Sequence, residues 1–221
     1  MSSLLAQTIP LSIGAAISPI VLMSVLTIIG GKHGKVRAVA FTIGFAIMST
    51  ALLALGVLLV AALRDRNGGA TESTTLDVIV GVVLIAFGLL MVRPKRKDDE
   101  TKAKEQHRKW VNPDSPLWLF LVFGLALMLV NVSTIVLLLA ILKEVARSGA
   151  SAGDAAVALG IADVFTILPA AIPVVAALIG GAAVTAKVTQ LGQWTNRNGK
   201  YILCVLFVVF GLQDLLKALG H

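Results

Sequence analysis

The stretch VALGIADVFTILPAAIPVV, residues 157–175, decides the fold of this chain. It is strongly apolar and about as long as the 20 residues that a helix needs to cross a bilayer. It also contains one carboxylate, Asp163, and two prolines, Pro169 and Pro173, which we expect to break the helix. A carboxylate at membrane depth costs about 2.5–3.5 kcal/mol on insertion scales, so it usually faces a bundle interior or a polar path. Asp163 is therefore a candidate functional residue of a transporter, and the alternative is a carboxylate that only hydrogen-bonds a neighbouring helix.

The composition places the rest of the chain in the membrane as well. Hydrophobic residues make up 57% of the 221 positions, charged residues 14%, and the mean hydropathy is +0.91. Soluble domains are about a quarter charged. We predict an all-α integral membrane protein with six transmembrane helices at 4–29, 38–63, 76–92, 117–142, 155–185 and 200–219. The first is expected to stay in place, because it lacks the basic start of a signal peptide and contains Pro10 and Pro19.

The distribution of basic residues predicts the orientation. Fourteen of the 19 lysines and arginines fall in the loops after the first, third and fifth predicted helices. Cytoplasmic loops carry an excess of Lys and Arg, so these three loops are expected on the cytoplasmic side. The chain is therefore predicted to be a multi-pass protein of the inner (plasma) membrane with both termini outside.

Several function classes are disfavoured. The net charge of +7 comes mostly from these loops, and no basic stretch alternates with aromatic residues, so nucleic acid is not an expected partner. A single cysteine, Cys204, cannot form an intrachain disulfide. The three histidines lie in loops or at the C-terminus: His33, His107 and His221. We therefore expect no metal site and no cofactor, and the lack of hydrolase, metalloprotease or phosphate-binding motifs argues against an enzyme.

The long basic segment 93–116 divides the chain into two halves, 1–92 and 117–221, within one membrane domain. Three spans in each half would insert the second half upside down, as in an inverted repeat. The stretch ISPIVLMSVL at 17–26 aligns with VSTIVLLLAIL at 132–142, and Gly44 aligns with Gly160.

Irregular positions fall at matching places in the two halves. Proline removes an amide donor, so Ser18-Pro19 is expected to break the first helix near mid-depth. The fourth helix carries Asn131, Ser133 and Thr134 at the corresponding place. Paired helix breaks of this kind indicate a transport site in membrane carriers. The alternative is ordinary kinking, with the polar side chains joining neighbouring helices.

These features carry a family resemblance. Ser18-Pro19, the loop GGKHGKVRA, Gly44, the basic central segment and the polar start of the fourth helix resemble the LysE-type exporter superfamily. Within it, the chain is most similar to the GAP (peptidoglycolipid-addressing, Sap-like) family. The resemblance implies a six-helix inner-membrane exporter with two inverted three-helix repeats and proline-broken helices, often dimeric, in a branch associated with cell-envelope glycolipids. Two motifs depart from the superfamily: Asn131-Val132 replaces Asn-Pro, and only Ser18-Pro19 represents the Pro-Gly-Pro of amino-acid exporters.

Together these observations predict a proton-coupled exporter or translocator of an envelope glycolipid, acting as a homodimer in the bilayer. Asp163 is the expected proton-coupling residue. The expected substrate-binding residues are those of the two breaks: Ser18, Pro19, Asn131, Ser133 and Thr134. Two alternatives stay open: an exporter of a small solute, amino acid or cation with the same fold, and a non-transporting subunit of a larger lipid exporter.

Overall fold

The computed structural model of the chain describes residues 2–31, 33–66 and 115–219, together with four isolated helical positions at 82, 85, 86 and 89. The predicted third helix, 76–92, lies outside the described residues apart from those four positions. The predicted linker, 93–116, lies outside them apart from its last two residues.

The described ranges consist of helices joined by short turns, with no strand. They are α1 (Ser2–Ala16), α2 (Pro19–Ile29), α3 (Gly34–Arg66), α4 (Leu117–Val130), α5 (Val132–Arg147), α6 (Ala152–Ile179) and α7 (Gly181–Leu219). Three of them, α3, α6 and α7, contain apolar stretches long enough to cross a membrane, and the pairs α1–α2 and α4–α5 would each make one bent span. The described part of the chain therefore holds three to five candidate spans, as expected of a membrane protein.

Two predicted spans are broken in the middle. The axes of α1 and α2 differ by 43°, and those of α4 and α5 by 64°. Pro19 is the first residue of α2, where a missing N–H costs no helical hydrogen bond. The second break forms without a proline, because Asn131 leaves the helical region with φ −82° and ψ 71°. The replacement of Asn-Pro by Asn131-Val132 has therefore not removed the break.

The prediction that Pro169 and Pro173 break their helix is wrong, because α6 continues through both residues. Each proline removes only the bond to the carbonyl four residues earlier, on Phe165 and Pro169 respectively. Being four residues apart, the two prolines lie on one face of α6, and both are buried. Packing of that face compensates for the two missing bonds, so the helix ends only at Ile179.

The boundary between the last two predicted helices also needs correction. We predicted helices at 155–185 and 200–219 with a basic loop between them, whereas α6 ends at Ile179 and α7 already begins at Gly181. The chain turns at Gly180, and no proline interrupts the 39 residues of α7. Lys187, Arg197 and Lys200 therefore lie on a helix and not in a loop.

Helices α3 and α4 approach each other closely through two glycines. A Cβ atom built on Gly44 would collide with the backbone carbonyl of Leu121, and one built on Gly124 would collide with the carbonyl of Phe41. Small residues at such crossings let two membrane helices pack backbone against backbone, where dispersion contacts hold them together. This crossing fixes the start of the second half of the chain against the first half.

A buried ion pair joins α5 to α7. The Lys143 ammonium lies 2.5 Å from a carboxylate oxygen of Asp214, and the two side chains are 11% and 7% exposed. Neither charge could be left alone at this burial without a large desolvation penalty. The pair therefore fixes the end of α5 against the last turns of α7.

Replacing Gly44 with alanine should lower the stability of the protein, because the added methyl group meets backbone that cannot rotate away. We expect a loss of about 1–3 kcal/mol, typical of overpacking, measured as thermal unfolding in detergent. Gly160→Ala on α6 is the matched control, since no heavy atom lies within 4 Å of its Cβ position. Equal stability of the two variants would contradict the close crossing.

Replacing Lys143 with methionine should destabilise the protein by about 3–5 kcal/mol, because it leaves the Asp214 carboxylate buried without its counter-ion. The double variant Lys143→Met/Asp214→Leu should recover most of this loss. The free energies of unfolding of Lys143→Met, Asp214→Leu and the double variant, compared with the wild type, give the coupling energy between the two residues. Additive effects would show that the ion pair does not join α5 and α7.

Candidate functional site

Asp163 is held by two hydroxyl groups from α3. Ser49 Oγ donates a hydrogen bond to Asp163 Oδ1 at 2.5 Å, and Thr50 Oγ1 donates to Oδ2 at 2.6 Å. Asp163 lies near the middle of α6, and both partners lie near the middle of α3. The cluster of Asp163, Ser49 and Thr50, here the carboxylate cluster, therefore joins two long apolar helices at mid-length.

The chemistry of these partners suits a carboxylate that changes its protonation state. A hydroxyl group donates to a carboxylate and equally accepts from a carboxylic acid. A Lys or Arg partner would instead favour the charged form. Within the described ranges, no Lys or Arg forms an ion pair with Asp163. The cluster can thus satisfy Asp163 both with and without a proton.

The carboxylate cluster extends from the interior of the helix bundle to its surface. Ser49 is fully buried, Asp163 is half-buried and Thr50 is exposed. Gly160 lies about one turn before Asp163, and no heavy atom lies within 4 Å of the position that a Cβ atom on Gly160 would occupy. Asp163 is therefore partly exposed at the surface of the helix bundle, beside the open space at Gly160.

A second polar cluster joins the two helix breaks. Asn131 Nδ2 donates to Ser18 Oγ at 3.0 Å, across 113 positions of sequence. Ser133 Oγ in turn donates to Asn131 Oδ1 at 3.0 Å. Ser18 and Asn131 are the N-cap residues that directly precede α2 and α5. The predicted breaks of the two halves thus meet in one hydrogen-bonded group, here the break cluster: Ser18, Asn131 and Ser133.

The break cluster is closed in this structure. Ser18 is 2% exposed and Asn131 is 4% exposed. Thr134, also predicted to bind substrate, is equally buried one residue further along α5 and lies outside the hydrogen-bonded group. Pro19 faces α7, where it would contact a Cβ on Gly199 at 2.9 Å. Direct contact of a ligand with these side chains therefore requires the two breaks to separate.

The helix termini at the break cluster add a fixed electrostatic feature. Neither Ser18 nor Asn131 uses its side chain to cap the helix that it begins. The first amides of a helix carry the positive end of its dipole. Two such ends, those of α2 and α5, lie beside one hydrogen bond in the middle of the bundle. The positive ends of α2 and α5 thus lie at the same breaks as the negative ends of α1 and α4, so partial charges of both signs are present where the two halves meet.

Ser49 and Thr50 were missed by sequence reasoning. They are two adjacent hydroxyl residues in the middle of the predicted helix 38–63, which is otherwise almost entirely apolar. That pattern was a usable signal, but hydroxyl groups often bond to the carbonyl of the preceding turn, as Thr42 does with Ala38 at 2.9 Å. In the parts of the chain that the structure describes, no group of three or more His, Cys, Asp or Glu could hold a metal ion.

The family of the chain follows from comparison with known proteins. Neither the curated proteins nor the solved structures contain a match to this sequence. Protein-family models give a match over residues 8–220, to a family described as Sap, sulfolipid-1-addressing protein. The matched segment contains both the carboxylate cluster and the break cluster. Because the match spans almost all of the 221 residues, the chain belongs to the Sap (sulfolipid-1-addressing protein) family.

Proposed function

We propose that this protein translocates a lipid of the cell envelope, such as a sulfated or otherwise acidic glycolipid, across the inner membrane. The family supports a role in lipid addressing. The observation that carries the proposal is the hydrogen bond between Asn131 and Ser18, which joins the breaks of two membrane helices. Broken helices that meet at mid-depth are the common design of substrate sites in secondary transporters.

The arrangement of the two halves supports an inverted repeat of the LysE type. A bent pair followed by a long helix occurs twice, as α1–α2 with α3 and as α4–α5 with α6. The predicted helix at 76–92 would be the third span of the first half, and α7 would be the third span of the second half. Because each half then has an odd number of spans, the two halves are inserted in opposite directions. The basic segments after the first and third predicted spans still hold eleven Lys and Arg residues when the cations of α7 are left out, which favours both termini outside. The homodimer implied by the resemblance belongs to the same proposal.

Asp163 couples translocation to the proton gradient. It takes up a proton from the outer side, and loss of that proton to the cytoplasm resets the carrier. The hydroxyl groups of Ser49 and Thr50 support this role, because they can bond both forms of the side chain. Since these hydroxyls belong to α3 and the acid to α6, each change of protonation alters a contact between the two halves.

The polar headgroup of the lipid contacts the break cluster once the two breaks have separated. Ser18, Asn131, Ser133 and Thr134 then offer hydrogen bonds to hydroxyl or acidic groups, and the starts of α2 and α5 favour negative charge. The acyl chains stay in the bilayer beside the apolar outer faces of the helices. A small zwitterion fits less well, since it needs a buried charge of each sign at the site.

The coupling role predicts the effect of Asp163→Asn. The amide keeps the size of the side chain and accepts one of the two hydroxyl bonds, but it cannot carry a proton across. Gradient-driven transfer of a labelled envelope lipid between the leaflets of proteoliposomes should be lost, while thermal stability is kept. Asp154→Asn, the same change near the start of α6, should keep normal transport. Full transport in Asp163→Asn would refute the coupling role.

The break cluster predicts the effect of Asn131→Leu. This change removes the donor to Ser18 and the acceptor for Ser133, at a cost of about 1–3 kcal/mol for buried hydroxyl groups left without partners. Lipid transfer should fall by about tenfold or more, because the opened site loses a side chain that bonds the headgroup, and about 1.4 kcal/mol of lost binding free energy corresponds to a factor of ten. Asn198→Leu is the control, since the hydrogen bond that Asn198 donates runs to the carbonyl of Trp194 on its own helix. Wild-type transfer by Asn131→Leu would exclude the break cluster from the pathway.

A further inference from the structure

Helix α7 runs alongside the bent pair α1–α2 in a defined register. Three close contacts, each with a glycine on one side, set this register. In order along α7, Gly192 packs against Leu26, Gly199 packs against Pro19, and Leu206 packs against Gly14. Successive contacts are seven residues apart on α7, about 10 Å at 1.5 Å per residue. The two elements are therefore antiparallel, and Gly199 lies at the level of the α1–α2 break.

This register places two cations inside the membrane. Arg197 and Lys200 lie within two residues of Gly199, about 3 Å along the helix axis, and hence beside a break near the middle of the span Leu4–Ile29. Hydropathy alone would put Arg197 at one end of the apolar stretch Arg197–Leu216. The contact between Gly199 and Pro19 places Arg197 deeper, at the level of the α1–α2 break, because packing fixes the relative depth of two helices directly.

Both cations point away from the protein. Arg197 and Lys200 are exposed, three residues apart and thus on the same face of α7. The Lys200 ammonium lies 4.9 Å from the centre of the Tyr201 ring, which is half exposed. Among the described residues, no carboxylate forms an ion pair with either cation. A basic residue at the bilayer centre costs about 2.5–3.5 kcal/mol on insertion scales, so a negative charge from outside the chain would stabilise the pair.

We propose that Arg197 and Lys200 bind the anionic headgroup of a lipid that enters from the membrane against the outer face of α7. This inference rests on the proposed function and names its substrate class as lipids with a net negative headgroup, the charge being carried by a sulfate, phosphate or carboxylate. The planar guanidinium of Arg197 can hold two oxygens of such a group, and the ammonium of Lys200 can hold a third.

The site is adjacent to the break cluster. Gly199 lies between the two cations in sequence, is buried, and faces Pro19 on the opposite side of α7. Because Gly199 has no side chain, only the α7 backbone separates a headgroup on this face from the α1–α2 break. A lipid bound here would therefore be positioned beside the break that must open to admit it. Lipid is the occupant that fits, because the face lies in the membrane and carries unneutralised positive charge.

Photocrosslinking tests the site independently of transport. The full chain is reconstituted in phosphatidylcholine liposomes containing a trace of photoactivatable phosphatidylglycerol, and crosslinked peptides are mapped by mass spectrometry. The wild type should crosslink near 197–201, and excess unlabelled phosphatidylglycerol should compete while phosphatidylcholine should not. Arg197→Gln/Lys200→Gln should lower the yield about tenfold, as expected for loss of charge-assisted hydrogen bonds. The charge-conserving Arg197→Lys/Lys200→Arg should keep most of it.

Lys187→Gln is the matched control, because Lys187 is exposed on the same helix but lies more than two turns farther from the break. It should leave the yield at 197–201 unchanged. Equal yields in wild type and Arg197→Gln/Lys200→Gln would overturn the site. A yield at 197–201 that falls in Lys187→Gln would also overturn it. An intermolecular peptide crosslink at 197–201, insensitive to phosphatidylglycerol, would assign this face to a second copy and also overturn it. Loss of lipid transport with unchanged crosslinking would show a failure of the proposed coupling, whereas loss of crosslinking with transport retained would show a failure of this site.

Discussion

Backbone amides and carbonyls cannot stay unpaired in hydrocarbon, and this constraint governs the structure. Both α1–α2 and α4–α5 break their hydrogen-bond ladders in mid-span, which is possible only where protein surrounds the break. The bond from Asn131 to Ser18 satisfies two polar side chains there at once and joins the halves of the chain. The Gly44–Gly124 crossing and the Lys143–Asp214 pair hold the surrounding helices around this point.

The same constraint explains the surroundings of Asp163. Its carboxylate at mid-length of α6 is compensated by two hydroxyl groups and not by a cation. A hydroxyl group can donate to a carboxylate or accept from a carboxylic acid, whereas Lys and Arg can only donate. The protein does use a salt bridge, between Lys143 and Asp214, nearer to the ends of α5 and α7, where it serves a packing role. This difference in partners supports the proposed coupling role of Asp163 and a structural role for Asp214.

The sequence was informative where local chemistry decides the outcome. The break at Pro19 and the membrane character of the chain follow from residue type and hydropathy. Asn131 was found because a polar group is costly in an apolar helix. Where packing decides, sequence reasoning failed. Helix α6 continues through Pro169 and Pro173, and residues 186–199, which we predicted as a loop, lie within α7. Partners distant in sequence, such as Ser49 with Asp163, depend on helix register, which no local pattern encodes.

The proposed function requires that the protein holds an envelope lipid and that Asp163 influences how much of it is held. Native mass spectrometry of the gently purified protein, with extraction and identification of what it retains, tests this claim most directly. We expect the wild type to hold a discrete acidic glycolipid or phospholipid, and Asp163→Asn to hold it in altered amount. Lipid-free protein that retains a small solute or a cation would contradict the claim and assign the chain to small-solute export.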